Sequence, residues 1–231
     1  MIYEYLIFNI FILSGPLLLF FWKRKDIFKP RIRPLLISIF LAATIFAIWD
    51  QLVVNYFWSF NPDYITGLFL ADLPIEEVLF FITVPFACLF LWVNYNKRVN
   101  HDEARKLPLI LILLAFLLGA LLLSKRLVYS GSVSLIFSLV MMLDVFLKTK
   151  LFTKKSFLFF IFFITNALTF IFNLYLTARP VVVYNELVKT NINILTIPIE
   201  DFVFGMALIS LTIIIYEKIL SKRFFINSFK I

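Results

Sequence analysis

Seven long apolar runs dominate this sequence and decide what it can fold into. They cover residues 4–22, 34–56, 74–95, 107–123, 127–147, 156–176 and 198–219. Each is near the ~20 residues that an α-helix needs to cross the hydrocarbon of a bilayer. Hydrophobic residues make up 62% of the chain and charged residues 16%, which is more apolar surface than a water-soluble fold of 231 residues can bury. The sequence therefore predicts an all-α polytopic membrane protein with seven transmembrane helices.

Basic residues indicate the orientation of these helices. The segments that follow the first, third, fifth and seventh runs carry 18 Lys and Arg residues, and the other segments carry four. By the positive-inside rule, the N-terminus is outside and the C-terminus is cytoplasmic. We expect a multi-pass protein of the plasma or inner membrane. Its net charge of +8 reflects this topology and contact with anionic membrane lipid, not nucleic acid.

Residues that commonly hold cofactors are scarce. Cys88 is the one cysteine and His101 the one histidine, so the sequence contains neither a disulfide nor a Cys-rich or His-rich metal site. The five glycines form no Gly-x-Gly-x-x-Gly or Walker motif. We therefore predict chemistry, transport or signalling in the lipid phase without a metal or a soluble cofactor.

An internal repeat divides the chain. The heptapeptide PIEEVLF, at residues 74–80, returns as PIEDFVF at residues 198–204, an offset of 124 residues. Asp50, near the end of the second run, roughly matches Asn173 near the end of the sixth. Because an offset of four spans preserves orientation, we predict two parallel three-helix repeats, residues 1–95 and 127–231, joined by a connector span in residues 96–126.

The repeated motif places two adjacent acids at the start of two spans: Glu76 with Glu77, and Glu200 with Asp201. Such acids can simply complement the helix dipole. However, adjacent carboxyls repel and are costly to bury, the pair occurs twice, and apolar helix follows each copy. Few basic residues lie near the outer acids in sequence, and a crowded, poorly solvated carboxyl tends to keep its proton. The sequence therefore favours a proton donor at these positions.

Aromatic and polar residues near these acids have two interpretations. Asp50 is either a helix-end acid that reaches water or a partner of the glutamates, and Asn173 is typical of an interhelical hydrogen bond. Trp58, Phe60 and Tyr64 form either an interfacial aromatic belt or the lid of a pocket. Thr66, Ser130 and Ser132 have no base beside them in sequence, so nucleophilic catalysis has no support.

Several of these segments resemble a known family. AIWDQLVV, WSFNPDYITG and LPIEEVLFFITVPFAC are similar to the first half of the membrane-embedded lycopene cyclase domain, and FNLYLTARPVVVYN with TIPIEDFVFGMAL to its second half. Two departures are that Asn191-Ile192-Asn193 stands where relatives often have Gly-Ile-Arg, and that Val93 stands where they often have Glu, although its repeat counterpart Glu217 is present.

The resemblance implies a function, that of a lycopene β-cyclase. This enzyme is an isomerase that closes the end groups of lycopene and other linear carotenoids to β-rings, without flavin, giving β-carotene through γ-carotene. We predict that Glu76 or Glu200 donates the proton and that Glu77 or Asp201 accepts the last one. The predicted substrate-binding or supporting residues are Trp49, Asp50, Trp58, Phe80, Asn173, Tyr184 and Phe204. Other enzymes of carotenoid biosynthesis are candidate partners.

Two other functions remain open. A proton-coupled transporter also uses parallel repeats and membrane carboxylates, but it should have broken helices and a polar path to both sides. Here Pro85 is the one proline that we place well inside a span, and the polar residues lie on one side. A non-catalytic subunit of a carotenoid enzyme complex is the third reading.

Overall fold

The computed structural model describes residues 3–19, 21, 31–96 and 107–228, with side chains described as far as Ser221. Helices dominate this part of the chain and confirm the all-α membrane fold. Six helices are long and apolar enough to cross a membrane, and Glu4–Leu19 is a shorter apolar helix. The helices are α1 (Glu4–Leu19), α2 (Ile32–Val53), α3 (Ile75–Asn96), α4 (Leu107–Ser124), α5 (Val128–Leu147), α6 (Lys155–Ala178) and α7 (Ile199–Ser228).

Helix α6 departs from regular α-helix in its middle. It begins as an α-helix over Lys155–Phe159, becomes a π-helix over Phe160–Thr165 and continues as an α-helix over Asn166–Ala178. π-Helical segments often occur at functional sites because they turn side chains out of the regular pattern.

Pro16 lies inside α1 just as Pro85 lies inside α3, so the expectation of a single internal proline is wrong.

Helix α7 lies at the centre of the packing. It contacts α2, α3, α5 and α6, while α1 packs on α3 and α4 packs on α5. The α4–α5 pair is close because glycines face leucines across it: a Cβ atom at Gly131 would lie 2.7 Å from Cγ of Leu123. Small residues at such contacts are the usual means of close helix packing in membranes. This arrangement leaves the start of α7, with its two acids, surrounded by protein.

Three short β-ribbons, which the sequence analysis did not predict, connect the helices at the end where the acids lie. Strands β2 (Phe69–Leu70) and β3 (Leu73–Pro74) pair before α3, and β5 (Asn193–Ile194) and β6 (Ile197–Pro198) pair before α7. Strand β1 (Trp58–Phe60) pairs antiparallel with β4 (Val182–Tyr184). These strands, too, recur at the offset of 124 residues.

The division of the chain into residues 1–95, 96–126 and 127–231 stays a prediction.

Orientation also stays a prediction, because two of the basic segments, residues 22–30 and 97–106, lie outside the described residues, as does His101. Reporter fusions after Asn96 and after Lys150 test it. Both fusions should report a cytoplasmic location, since the positive-inside rule places the basic segments there. A periplasmic or extracellular signal from either fusion would overturn the predicted topology.

Candidate functional site

A cleft opens between α1, α3, α6 and α7 and below the β1–β4 ribbon. The empty volume of the cleft, including its mouth, is about 740 Å³. Most of the lining is apolar, with carboxyl, phenol and amide groups on one part of the wall. The predicted site residues that line the cleft are Trp58, Glu77, Phe80, Asn173, Tyr184, Asp201 and Phe204.

Glu77, in the first turn of α3, has one hydrogen-bond donor among the residues that the structure describes. Its Oε2 atom accepts a hydrogen bond of 2.6 Å from the hydroxyl group of Tyr5 on α1. The carboxyl group of Asp50 on α2 interacts electrostatically with Glu77. Asp50 is fully buried, and neither of its carboxyl oxygens has a hydrogen-bond partner within the described residues, although the Trp58 side chain approaches it. Two carboxyl groups thus share a buried region with few donors.

Asp201, in the first turn of α7, is the repeat counterpart of Glu77 but has three donors. Its Oδ1 atom accepts from the Tyr129 hydroxyl (2.8 Å), and its Oδ2 atom accepts from the Tyr184 hydroxyl (2.6 Å) and the Asn173 amide (2.9 Å). Burial, and then the nearby Asp201 charge, raise the pKa of Tyr184 well above its usual value, so this phenol stays protonated and can donate. Donors on a carboxylate stabilise its negative charge.

Glu76 and Glu200 are buried beside the cleft but do not line it. Glu76 Oε1 accepts from the Thr66 backbone N–H (2.7 Å), and Glu200 Oε1 accepts from the Thr190 N–H (2.8 Å) and hydroxyl (2.7 Å) and from the Ser130 hydroxyl. The Oε2 atoms of both glutamates have no partner within the described residues. These two acids therefore anchor the loops that precede α3 and α7.

Trp49 is the other predicted site residue outside the cleft. Its indole packs against Phe204 (5.5 Å between ring centroids) and Trp58 (5.7 Å), both of which line the cleft. On its other side, Trp49 contributes to a separate apolar groove between α2, α5 and α7. Trp49 and Asp50 thus lie behind the cleft wall, whereas Trp58 and Phe60 lie on it; Tyr64 instead packs under the guanidinium group of Arg179.

Some acids at this end of the molecule form ion pairs and others do not, within the described residues. Glu4 forms an ion pair with Arg179, and Glu186 forms one with the buried Lys189, so these two are exceptions to the expectation that the outer acids have almost no basic partners. Within the described residues, no ion pair involves Asp50 or the four acids of the repeated motif. In the same part of the chain, no three His, Cys, Asp or Glu side chains are grouped so that they could hold a metal ion.

Sequence reasoning missed several residues of this site. Tyr5 and Tyr129 hydrogen-bond the two cleft acids, and they are separated by the same 124 residues as the acids. Thr190 was not singled out. The sequence shows no base beside Ser130 or Thr66, yet the Ser130 hydroxyl donates to Glu200 and the Thr66 backbone N–H donates to Glu76. Extending the repeat upstream of the motif would have found both tyrosines.

Comparison with known proteins covers the segments that form this site. The family model described as "Lycopene cyclase" matches residues 3–95 and 125–219, which is most of the chain and both copies of the motif. The chain belongs to the lycopene cyclase family. The matched ranges contain both cleft acids and the tyrosines that donate to them, and they omit most of the connector span.

Curated relatives of this lycopene cyclase family member are fungal proteins named "Bifunctional lycopene cyclase/phytoene synthase". The protein of Aspergillus niger is 31% identical over 110 residues, which is 42% of this chain and 19% of the relative. That of Gibberella fujikuroi is 32% identical over 80 residues, 34% of this chain and 13% of the relative. The matched segments thus cover less than a fifth of these relatives. No solved structure matches the chain.

Proposed function

We propose that this chain is a lycopene β-cyclase, an isomerase that closes the end groups of lycopene to β-rings. Membership of the lycopene cyclase family supports the substrate class. The observation that carries the proposal is the pair of buried carboxyl groups, Glu77 and Asp201, facing one mainly apolar cleft from the starts of two repeat-related helices. A hydrocarbon substrate fits such walls, and acid-catalysed cyclisation needs both a proton donor and a proton acceptor.

The reaction consumes and releases one proton per ring. A carboxylic acid protonates the terminal double bond, which gives a tertiary carbocation. The neighbouring double bond attacks this cation, and a new carbon–carbon bond closes the six-membered ring. Loss of a proton from the ring carbon next to the new cation forms the ring double bond of the β-end group. No electrons are gained or lost overall, and the mass of the substrate is unchanged.

Glu77 is the proton donor in this proposal. Its electrostatic interaction with the buried Asp50 disfavours two negative charges, which supports Glu77 as the carboxyl group that carries a proton. Glu77 lines the cleft, and the Tyr5 hydroxyl bonds its Oε2 atom, so we assign the protonation of the substrate to Oε1. This assignment replaces the expectation that Glu76 or Glu200 donates the proton, because the carboxyl groups of those residues accept hydrogen bonds from loops outside the cleft.

Asp201 is the proposed base and counter-ion. Tyr129, Tyr184 and Asn173 donate to it, so its negative charge is stabilised before the reaction begins. The first repeat has other side chains in the corresponding places: the counterpart of Tyr184 is Phe60, which has no hydroxyl, and Asn173 roughly matches Asp50. The first repeat thus places a buried carboxyl group behind Glu77 and gives it one donor, whereas the second repeat gives Asp201 three donors, and this difference supports different roles for the two acids.

Aromatic side chains complete the proposed mechanism. Phe60, Phe80, Phe204 and Trp58 line the cleft that contains the acids. Ring faces stabilise nearby positive charge by their quadrupoles, and an apolar wall keeps water from quenching the cation. The aromatic residues therefore support both the lifetime of the carbocation and the formation of a hydrocarbon product instead of an alcohol.

Pigment analysis tests the proposal. Cells that accumulate lycopene and express this chain should yield cyclic carotenoids of the same mass with β-rings, and the purified protein should do the same in liposomes without added flavin or nicotinamide. The Glu77→Gln/Asp201→Asn double variant is the negative control, because it lacks both cleft acids. Unchanged lycopene with well-inserted protein would favour a non-catalytic subunit, and a strict need for reduced flavin would refute the mechanism.

A further inference from the structure

The cleft has one side formed by two helices that are joined by a cluster of side chains. Tyr5 of α1 and Phe172 and Leu176 of α6 line the cleft on this side. Helix α1 packs on α3, and α6 packs on α7, so α1 and α6 form the seam between two pairs of packed helices. A seam of this kind can part without disrupting either pair.

Five side chains close the seam at the end of the molecule where the acids lie, and we call them the clasp: Glu4, Phe8, Phe172, Tyr175 and Arg179. Glu4 accepts hydrogen bonds from Arg179 (2.7 and 3.1 Å) and from the Tyr175 hydroxyl (2.9 Å). The Phe8 ring stacks on Tyr175, with 5.2 Å between centroids, and meets Phe172 edge-on at 6.1 Å. The clasp thus joins the start of α1 to the end of α6.

The second repeat lacks these groups. Tyr5 and Tyr129 are equivalent, because each donates to the cleft acid of its own repeat. By the same offset of 124 residues, Glu4 corresponds to Val128 and Phe8 to Ser132. Neither an acid for an ion pair nor an aromatic ring for stacking is present there. The clasp is therefore a feature of the seam that leads into the acid-containing cleft, not of the repeat.

Large apolar side chains lie exposed beside the clasp. Phe11 on α1 is 74% exposed and Ile171 on α6 is 61% exposed. In a membrane helix such side chains contact lipid. The seam therefore separates the cleft from the hydrocarbon of the bilayer, which is the phase in which a linear polyene dissolves.

We infer that the α1–α6 seam is the lateral portal through which the acyclic end of a linear polyene passes from the bilayer into the cleft, and that the Glu4–Arg179 ion pair latches it. The polyene as substrate rests on the proposed function; the portal itself rests on the geometry of the clasp. The half-exposed Arg179 side chain makes the latch an interaction of modest strength, suited to repeated opening.

One test uses Cys88 as an internal probe of access to the cleft from the bilayer. This residue is buried, lines the cleft and is the one cysteine of the chain. A lipid-soluble maleimide should label Cys88 about two- to fivefold faster in Arg179→Gln than in the parent protein, since an ion pair of this exposure contributes modestly. Lys189→Gln, which breaks an ion pair away from the seam, is the control and should leave the rate unchanged. This readout does not depend on cyclisation.

A second test closes the seam. A short, reducible dithiol-specific tether across Phe8→Cys/Tyr175→Cys should abolish lycopene turnover, and a reductant should restore it. The same tether across Ala115→Cys/Ser134→Cys, which joins α4 to α5 where Ser134 donates to the Ala115 carbonyl, should not. Unchanged Cys88 labelling in Arg179→Gln together with full turnover of the tethered protein would overturn the portal. Faster labelling in a protein that never cyclises lycopene would uphold the portal and refute the proposed function.

Discussion

Glu77→Gln should abolish lycopene cyclisation, while Glu76→Gln one residue earlier should keep most of it. Glutamine preserves the shape of Glu77 and can still accept the Tyr5 hydrogen bond, but it cannot supply a proton as an acid. Loss of a general acid commonly costs about 10²–10⁴-fold in rate. Initial rates of ring formation in liposomes, normalised to the amount of membrane-inserted protein, measure the effect.

Glu76→Gln is the matched control for this result, because it retains an oxygen for the Thr66 N–H and lies outside the cleft. If Glu76 serves to anchor its loop and complement the helix dipole, its loss should cost at most about 1 kcal/mol of stability. Equal and severe losses in both variants would contradict the assignment of the donor to Glu77. Near-normal turnover of Glu77→Gln would show that none of the proposed proton chemistry passes through it.

The membrane fold could be predicted from the sequence because it depends on local properties. A helix that crosses the hydrocarbon must be about 20 residues long and apolar, whatever its neighbours are. The repeat of the Pro-x-Glu-acid motif likewise marked the starts of α3 and α7 at Ile75 and Ile199. By contrast, the pairing of Trp58–Phe60 with Val182–Tyr184 joins segments that are distant in the chain, and three-residue strands leave no periodic pattern.

Which acid of each pair faces the cleft could not be predicted from the sequence for a related reason. Adjacent helical residues point about 100° apart, so only one acid of each pair can face the cleft. Which one does so depends on how α3 and α7 are rotated against their neighbours. The structure turns Glu77 and Asp201 toward the cleft, and it turns Glu76 and Glu200 toward the loops of Thr66 and Thr190.

The difference between the two repeats is visible in the sequence only after the contacts are known. Asn173, interpreted as an interhelical hydrogen bonder, is indeed one, since it joins α6 to Asp201 on α7. The approximate counterpart, Asp50, offers no N–H and instead places a second carboxyl group near Glu77. A carboxyl group at this position disfavours a negative charge on the neighbouring acid, whereas an amide group donates a hydrogen bond that stabilises one.

Asp201→Asn should also abolish net cyclisation, but at a different step from Glu77→Gln, and solvent deuterium separates the two. Without its base, the Asp201→Asn variant can still deuterate the terminal double bond through Glu77. The attacked carbon then carries one H and one D, and loss of the H to the Glu77 carboxylate re-forms lycopene that keeps the deuteron. Lycopene recovered after incubation in D₂O should therefore contain deuterium. Loss of the general base should slow ring formation by about 10²–10⁴-fold, as measured by the cyclic product.

The Glu77→Gln variant is the control for the deuterium experiment. It should return lycopene without deuterium, because protonation itself is blocked. Tyr184→Phe should be milder than Asp201→Asn, since Tyr129 and Asn173 still donate to the carboxylate. If the recovered lycopene carries deuterium with Glu77→Gln and none with Asp201→Asn, the two roles are reversed, and the three donors on Asp201 then serve the proton donor instead of the base.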